Sequence, residues 1–416
     1  MEKLRPIIVA AMFLLFLLSV SGVFLTLPLA RMGHVDFRHL YTAGYMVRTG
    51  HAAEIYDFAE NEKFQNELVG PAAGALPFNH LAYETLIYVP FSFLSYQRAY
   101  FAFMVVNLIV LAGSIWMFRP LLSPLARIWR LLPFALIVCF LPLAIALVQG
   151  QDSIFLLALF AASAVALHGE KDLQAGILAG LTLFKFQYAL PVAFVYLLWR
   201  RWRFLAGFSI AAATVTGVSV WLTGLSSVSS YVHTIIGMSA KFTSANAALY
   251  GVHPEGMPNL RGFSYMVSGG SGSFSNALTF LLSAGVMFCA YRKRPAFGTA
   301  MLAALLVSYH QLISDTSLLV LPIGLALAWS LEDAGKRRAA VVTLASLAFI
   351  GPAILLFAGT RFYPLALPIL GLFVCWDGIA GAGGNARETV LSTIGDERAS
   401  NRAESPTAGQ KTIASD

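Results

Sequence analysis

The stretch IIVAAMFLLFLLSVSGVFLTLPLA (residues 7–30) carries no charged side chain over its whole length. A helix of about 20 apolar residues is long enough to cross the hydrocarbon core of a bilayer. The stretch follows Lys3 and Arg5, as a secretory signal would. It is long for the apolar core of a signal, however, and lacks a clear small-residue cleavage site. We therefore interpret it as a retained first membrane span.

Similar apolar blocks recur along the 416 residues, of which 58% are apolar and 12% charged. A soluble domain carries about a quarter charged residues. Because the blocks are continuous rather than alternating, they are typical of membrane helices and not of a β-barrel. We predict an all-α, polytopic membrane protein of about 11–13 transmembrane segments. The segments lie near residues 7–28, 82–95, 98–118, 131–148, 152–167, 173–184, 187–199, 203–224, 276–291, 297–312, 316–330, 339–358 and 363–379.

The formal net charge of +7 comes largely from short loops between these segments. Lysine and arginine concentrate in cytoplasmic loops of membrane proteins, so WRRWR (199–203), YRKR (291–294) and GKRR (335–338) predict a cytoplasmic side shared with the N-terminus. Loops 29–80 and 225–275 then fall on the outer side. This placement of charge fits membrane orientation better than nucleic-acid binding.

Residues 119–130 (RPLLSPLARIWR) conflict with this topology, because three arginines should lie inside but two full spans at 82–118 would place them outside. Either 82–95 does not cross fully or the charge rule fails there. Residues 1–379 form the membrane domain in this interpretation. The tail 380–416 is rich in Ser, Thr, Ala and charge, and is predicted to be mostly disordered and cytoplasmic.

No cofactor motif stands out in the sequence. The three cysteines are far apart in apolar segments, and we find no Walker loop, Rossmann glycine pattern or Cys/His zinc spacing. The sequence therefore predicts no metal site and no cofactor. Divalent-metal dependence stays open, because carboxylates on the outer side could supply ligands, although no spacing demands it; these are Asp36, Asp57, Asp152 and Asp315.

Asp36 is the first polar candidate, because it directly follows the first span in HVDFRHLYTAGYMVRTGHAAEIYD (34–57). Its spacing favours an N-cap of a helix from about Phe37 to Arg48, stopped by Gly50. A carboxylate at a helix start can also face an open site. The two interpretations do not exclude each other.

Polar residues within apolar segments are costly and are functional candidates. Lys185 lies in LTLFKFQYALP, where it either snorkels to an interface or marks a helix break that suits an anionic phosphate. In QGQDS (149–153), Asp152 is expected to cap the next helix. His310, in SYHQLISD (308–315), is expected to be a satisfied structural histidine unless its place at the outer end of a span gives it a function. Arg261 lies in a loop, HPEGMPNLRGFSYM (253–266), that is rich in turn signals.

These pieces together resemble glycosyltransferase family 87, a group of polyprenol-phosphate-dependent enzymes. The resemblance lies in DFRHLYTAGYMVRTGHAAEIYD (36–57), LPFNHLAYETLIYVPFSFLSYQRAY (76–100), the segment from VQGQDS to YALP (148–191), GMPNLRGF (256–263) and YHQLISDTSLLVLP (309–322). It covers roughly residues 30–330. One departure is NHLAYE (79–84), where the family commonly carries a double proline.

The resemblance implies the C-type glycosyltransferase fold, with two larger extracytoplasmic loops beside a lipid-facing cavity. It implies transfer of a hexose, mannose being favoured, from a polyprenyl-phosphate donor to a lipid or glycan acceptor, with inversion. Asp36 takes the position of the catalytic base. Lys185 and His310 take positions expected to meet the donor phosphate, and Arg261 is a second cation that could help.

Further polar residues on the same side are candidate substrate contacts, namely Arg38, Tyr41, Tyr56, Asp57, Gln151 and Asp315. The expected partners are the donor, the acceptor and the bilayer of an inner membrane, with no nucleic acid and no obligate protein partner. A transporter or flippase of lipid-linked sugars is the alternative, because broken helices and intramembrane polar residues suit it equally. Against it, no inverted repeat is visible in the sequence.

Overall fold

A computed structural model describes residues 5–71, 75–239, 253–332 and 335–376. Within these residues the protein is all-helical and has no strand, as predicted. The predicted tail 380–416 lies outside the described residues. The α-helices of seven or more residues are α1 Arg5–Arg31, α2 Phe37–Arg48, α3 Phe58–Val69, α4 Tyr96–Phe118, α5 Leu132–Val138, α6 Leu141–Gln149, α7 Ser153–His168, α8 Asp172–Gly180, α9 Phe186–Leu198, α10 Trp202–Thr223, α11 Ser227–Ser239, α12 Leu260–Val267, α13 Gly272–Arg292, α14 Phe297–Val307, α15 Val320–Glu332, α16 Arg338–Phe357 and α17 Ala366–Cys375.

Six helical segments of the described residues are long and apolar enough to span a membrane. They include α1, whose surface is almost entirely exposed, as suits a helix that faces lipid. Shorter apolar helices are Ser153–His168, Phe297–Val307 and Tyr363–Cys375. The six long segments are Arg5–Arg31, Tyr96–Arg127, Trp202–Thr223, Gly272–Arg292, Ser314–Glu332 and Arg338–Phe357.

Two further segments of span length are bent. Helices α5 and α6 meet at 48°, and Pro142 is the second residue of α6. Helices α8 and α9 meet at 63°, and a short 3-10 turn, Leu183–Lys185, lies between them. A break frees backbone groups that must find partners in protein or cavity, so irregular backbone inside a membrane tends to line a site. Lys185 lies at the second break, as the sequence suggested.

Residues 82–95 do not form a span. They fold into three short pieces, Ala82–Glu84, Thr85–Tyr88 and Val89–Phe93, with Pro90 in the last. Proline removes a backbone donor and interrupts a helix, which keeps these pieces short. Of the two alternatives for the arginine-rich residues 119–130, the structure therefore supports the first.

Helices α8 and α10 cross at very short distance because each places a glycine at the contact. A Cβ atom on Gly176 would lie 1.9 Å from the carbonyl oxygen of Phe204, and one on Gly207 would lie 2.1 Å from that of Leu173. Small residues allow membrane helices to pack backbone against backbone. The crossing fixes α8, and with it the break that carries Lys185.

A cluster of buried aromatic rings holds α2 against the start of α4. Phe37, the first residue of α2, is fully buried and stacks on Phe103 with ring centroids 5.1 Å apart. Tyr88, Tyr96 and Tyr100 surround the same ring. Buried aromatic side chains contribute large apolar areas and defined geometry. The packing sets the position of the residue before Phe37, which is Asp36.

Candidate active site

Asp36 lies directly before α2, in the predicted place, but its carboxylate does not cap the helix. It accepts a hydrogen bond from the amide nitrogen of Gln151, 115 residues further along the chain. The backbone N–H of Asp36 donates to Gln149 Oε1 at 3.3 Å. The capping interpretation is therefore wrong for the side chain. A carboxylate that faces a distant side chain is available for a site.

The QGQDS turn lies against the start of α2. Gly150 ends α6 in the left-handed conformation, with φ +59°, which glycine adopts without strain. A Cβ atom at Gly150 would lie 2.6 Å from Cβ of Phe37, so only glycine lets the turn approach this closely. Gln149 and Gln151, on either side of it, thereby reach Asp36 from both the backbone and the side chain.

Lys185 is buried, with 3% of its side chain exposed, and does not snorkel. Its Nζ lies 2.7 Å from Asp152 Oδ1 and 2.5 Å from Asp315 Oδ1. It also donates to Gln151 Oε1 at 3.0 Å and to Ser153 Oγ at 2.9 Å. An ammonium has three N–H donors. These four oxygens of the protein therefore account for all of them.

Asp315 lies in the 3-10 turn Ser314–Leu319 that leads into α15, and it is 1% exposed. Its Oδ1 accepts from Lys185 and from Ser153 Oγ at 2.9 Å. Its Oδ2 accepts the backbone N–H of Leu312 at 3.2 Å. Both carboxylate oxygens are thus satisfied within the protein.

Asp152 precedes α7 but makes no capping bond, so that expectation is wrong as well. Besides Lys185, its partner is His80, whose Nδ1 lies 3.2 Å from Asp152 Oδ2. The same Nδ1 lies 2.5 Å from Oε2 of Glu84, which is fully buried. His80 and Glu84 were missed from the sequence. Their place in a short apolar stretch was the available signal, because ionisable groups in an apolar segment are costly and mark candidate sites.

His310 and Arg261 come together at the start of α12. Asn259 caps this helix, accepting from Arg261 N and Gly262 N at 3.1 Å each, and donates to the carbonyl of Ser308 at 2.6 Å. Arg261 Nη1 donates to the carbonyl of Tyr309 at 2.5 Å. Residues 308–310 are thereby attached to α12.

The side chain of His310 is half-buried, and its buried Nδ1 has no hydrogen-bond partner in the protein. Burial lowers the pKa of His310 to about 4, against the opposing charge of Asp315. The imidazole is therefore neutral near pH 7 and can donate or accept one hydrogen bond at each nitrogen. The expectation of a satisfied structural histidine does not hold at this atom.

Comparison of the sequence with models of known protein families gives a match. The profile of glycosyltransferase family 87 matches residues 84–322, more than half of the chain. The chain belongs to glycosyltransferase family 87. Searches of curated proteins and of solved structures gave no significant match.

The matched range of this family 87 glycosyltransferase contains the QGQDS turn, Lys185, Arg261 and the segment from His310 to Asp315. It begins at Glu84 and so leaves out Asp36. What joins Asp36 to the family region is the hydrogen bond from Gln151, together with the contact between Gly150 and Phe37.

The charges around Lys185 balance one another in this glycosyltransferase. Burial alone would lower the pKa of His80, but the carboxylates of Glu84 and Asp152 raise it to about 10. Burial raises the pKa of Asp152, but the charges of Lys185 and His80 outweigh burial and hold it well below its usual range. Burial raises the pKa of the Glu84 carboxyl to about 8. The two cations, Lys185 and His80, thus face the carboxylates of Asp152 and Asp315 and this carboxyl. The cluster has no surplus of positive charge.

His80, Glu84 and Asp152 are close enough together to contact one metal ion. Two ligands of one divalent ion, each about 2.1 Å from it, stay about 3 Å apart. The separation of 2.5 Å between His80 Nδ1 and Glu84 Oε2 is shorter and fits a shared hydrogen. The ammonium of Lys185 beside Asp152 also opposes a second cation. The geometry fits a hydrogen-bonded cluster better than a metal site.

The other predicted contact residues have partners within the protein. Arg38 is buried and donates to Gln65, Asn66 and the carbonyl of Gly70, which attaches α2 to α3. The hydroxyl of Tyr41 donates to the carbonyl of Leu94, and the hydroxyl of Tyr56 donates to the carbonyl of His80. Asp57 is exposed and caps α3. These contacts explain all four residues without a substrate.

Proposed function

We propose that the protein transfers a hexose, mannose in the first instance, from a polyprenyl-phosphate donor to a lipid or glycan acceptor, with Asp36 as general base. One observation carries the assignment of the base. Of the four carboxylates at the cluster, Asp315, Asp152 and Glu84 are at most 1% exposed, whereas Asp36 is half-buried. An acceptor hydroxyl can approach only a carboxylate that has an open side.

The reaction in this proposal is a single displacement. The acceptor hydroxyl gives its proton to the Asp36 carboxylate while its oxygen attacks the anomeric carbon from the face opposite the phosphate. The bond between that carbon and the phosphate oxygen breaks, its electron pair leaves with the polyprenyl phosphate, and the configuration inverts. A positioned base contributes about 10²–10⁴-fold to such a step.

Charge that develops on the departing phosphate needs fixed donors nearby. We assign this role to Arg261 and His310. In the part of the chain that the structure describes, Arg261 contacts the carbonyl and ring of Tyr309 and no carboxylate, so its charge is uncompensated. Lys185 was expected to bind the phosphate, but two carboxylates already neutralise it. In the proposal it organises the site instead.

The lipid-linked donor and the side of transfer rest on the resemblance and on the placement of charge. Helix α1 begins at Arg5 and ends at Arg31, next to the site, so its ends lie about 40 Å apart. The basic cluster 199–203 lies between the end of α9 and the start of α10, and the cluster 291–294 lies at the end of α13. The positive-inside rule supports a cytoplasmic N-terminus and an extracytoplasmic site in an inner membrane.

The proposal includes no resident metal, and the ammonium of Lys185 beside Asp152 supports this. It also includes no nucleic-acid partner and no obligate protein partner. Membership of a glycosyltransferase family favours transfer over the transport alternative.

The test is sugar transfer by purified protein from radiolabelled polyprenyl-phosphate mannose to a membrane-lipid extract, with GDP-mannose as the comparison donor. We expect transfer from the lipid donor alone, and a loss of about 10²-fold or more in Asp36→Asn. Asp57→Asn, which alters an exposed helix cap, is the matched control and should retain activity. Transfer from GDP-mannose would overturn the donor class, and equal transfer by Asp36→Asn would overturn the base.

A further inference from the structure

The side-chain amide of Gln151 lies between the proposed base and the buried cation. Its Nε2 donates to Asp36 Oδ2, and its Oε1 accepts from Lys185 Nζ at 3.0 Å. Gln151 is itself only 5% exposed. The amide is therefore held at both ends, with one end on each group.

The chemistry of the two ends determines which way the amide points. An ammonium carries donors and no acceptor, so the atom of Gln151 that faces Lys185 must be the oxygen. Ser153 Oγ, which lies 3.5 Å from the same oxygen, is compatible with this orientation. The opposite end is then the amide nitrogen, which can only donate to Asp36. A donor at this position favours the ionised carboxylate over the protonated acid.

We propose that Gln151 is a positioning residue for Asp36, oriented by Lys185 so that its amide donates to the carboxylate and keeps it ready to accept a proton. The inference rests on the proposed role of Asp36 as base. It gives Lys185 a function that does not need contact with the donor. It also gives a role to the buried cation and the two buried carboxylates that lie behind the half-buried Asp36.

Two opposite effects act on Asp36. Burial raises the pKa of its carboxyl, and the hydrogen bond from Gln151 lowers it. A general base works best when its pKa lies near the working pH, so neither effect alone would suit the reaction. The titratable groups that face Asp36 are Lys185, Asp152, Asp315, Tyr96 and His39.

Gln149 is a matched control within the same turn. It is the same residue type, and it also contacts Asp36, but its Oε1 accepts from the backbone N–H, whereas the carboxylate accepts its hydrogen bond from Gln151. Replacing Gln149 disturbs the turn while leaving the donor to the carboxylate in place. A purely structural role of the turn would make both glutamines matter in the same way.

The experiment follows the protonation of Asp36 directly, by infrared titration of protein with ¹³C-labelled aspartate in lipid nanodiscs. The carboxyl band absent from Asp36→Asn identifies the residue. In Gln151→Met we expect its midpoint to rise by about one pH unit, since the ionised form loses a donor. In Gln149→Met we expect the midpoint to shift by no more than about a third of a pH unit. Equal midpoints for wild type and Gln151→Met, or equal shifts in the two variants, would overturn the inference.

Gln151→Glu provides a second variant should Gln151→Met fail to fold. It keeps an oxygen for Lys185 but places no donor on Asp36, and its added negative charge should raise the midpoint at least as far. A midpoint at or below that of wild type contradicts the inference.

Transfer kinetics complete the test. The acid limb of kcat/KM against pH should move with the infrared midpoint, so that Gln151→Met regains activity at high pH, whereas structural damage would lower activity at every pH. The infrared titration needs no sugar donor, so it tests the role of Gln151 separately from the proposed transfer reaction. A shifted midpoint without any transfer leaves Gln151 acting on Asp36 while the proposed function fails.

Discussion

The Nζ atom of Lys185 lies 2.5 Å from Oδ1 of Asp315, although 130 residues separate them. The pair joins the break between α8 and α9 to the turn that leads into α15, and Asp152 adds the turn before α7. Three membrane segments thus meet at one buried ammonium. Ion pairs of this kind add little net stability, but removing one partner leaves buried charge without compensation.

Lys185→Met is therefore expected to lower the free energy of unfolding by about 3–5 kcal/mol. The measurement is the thermal midpoint of protein in detergent or nanodiscs. Lys63→Met is the control, because Lys63 is 60% exposed and its pair with Glu60 is 3.6 Å long, so about 0.5 kcal/mol or less should be lost. Adding Asp315→Asn to Lys185→Met should restore part of the loss, and a single variant as stable as wild type would contradict the charge network.

Several residues of the site could be found from the sequence because a polar group in an apolar segment is conspicuous. Lys185, Gln151 and Asp315 were selected for this reason, and the structure joins them in one hydrogen-bonded group. His80 and Glu84 were not selected. His80 falls in the predicted outer loop 29–80 and Glu84 in the predicted span 82–95, and only the folded chain brings Asp152 to them from 68 or more positions away.

The roles of the carboxylates were harder to predict than their positions. Asp36 and Asp152 both precede helices, and local spacing favours capping at such places. Instead of local caps, the two carboxylates make long-range contacts, Asp36 with Gln151 and Asp152 with Lys185. A buried cation outweighs a local cap, and no local pattern reports where that cation lies.

Arg261→Met tests the assignment of the phosphate ligand. A hydrogen bond to a charged group is worth about 1.5–3 kcal/mol, so kcat/KM for the lipid donor should fall by roughly 10–100-fold. Arg261→Lys should retain part of the activity, since lysine keeps the positive charge but lacks the planar guanidinium and its paired N–H donors. Arg361→Met is the control at an exposed arginine that contacts the sulfur of Met266. A loss of similar size in both variants would argue against a specific role for Arg261.

His80→Gln tests the charge balance through the dependence of stability on pH. The folded-state pKa of about 10 lies above the ordinary value of 6.5, so the imidazolium stabilises fully below pH 6.5 and this contribution is lost as the pH rises through about 10. The difference in thermal midpoint between wild type and His80→Gln should therefore be large near pH 6 and smaller near pH 9.5.

Two further variants refine this measurement. Glu84 contacts His80 and titrates in the same window, so the comparison is repeated in a Glu84→Gln background. His51→Gln, at an exposed imidazole, should change the midpoint little at either pH. A difference between wild type and His80→Gln that grows with pH would show that His80 is neutral in the folded protein.

Gly150→Ala separates the geometry of the site from the stability of the fold. The new Cβ would lie 2.6 Å from Cβ of Phe37, so the turn must move away from α2 and carry Gln151 with it. Gly50, at φ +88°, has nothing within 4 Å of an added Cβ and lies two residues after the end of the same helix α2. Both substitutions carry the strain of a left-handed backbone, about 1–2 kcal/mol, and Gly150→Ala adds the cost of the displaced turn, so its thermal midpoint should fall further than that of Gly50→Ala.

Only Gly150→Ala should impair transfer strongly, because a displacement of about 1 Å at a catalytic group can cost about 10²-fold in rate. Gly50→Ala should keep nearly all of its kcat. The measurement is kcat at saturating donor together with the thermal midpoint of each variant. Parallel loss of activity in the two variants would mean that the contact between the QGQDS turn and α2 supports the fold alone and does not set the position of Asp36.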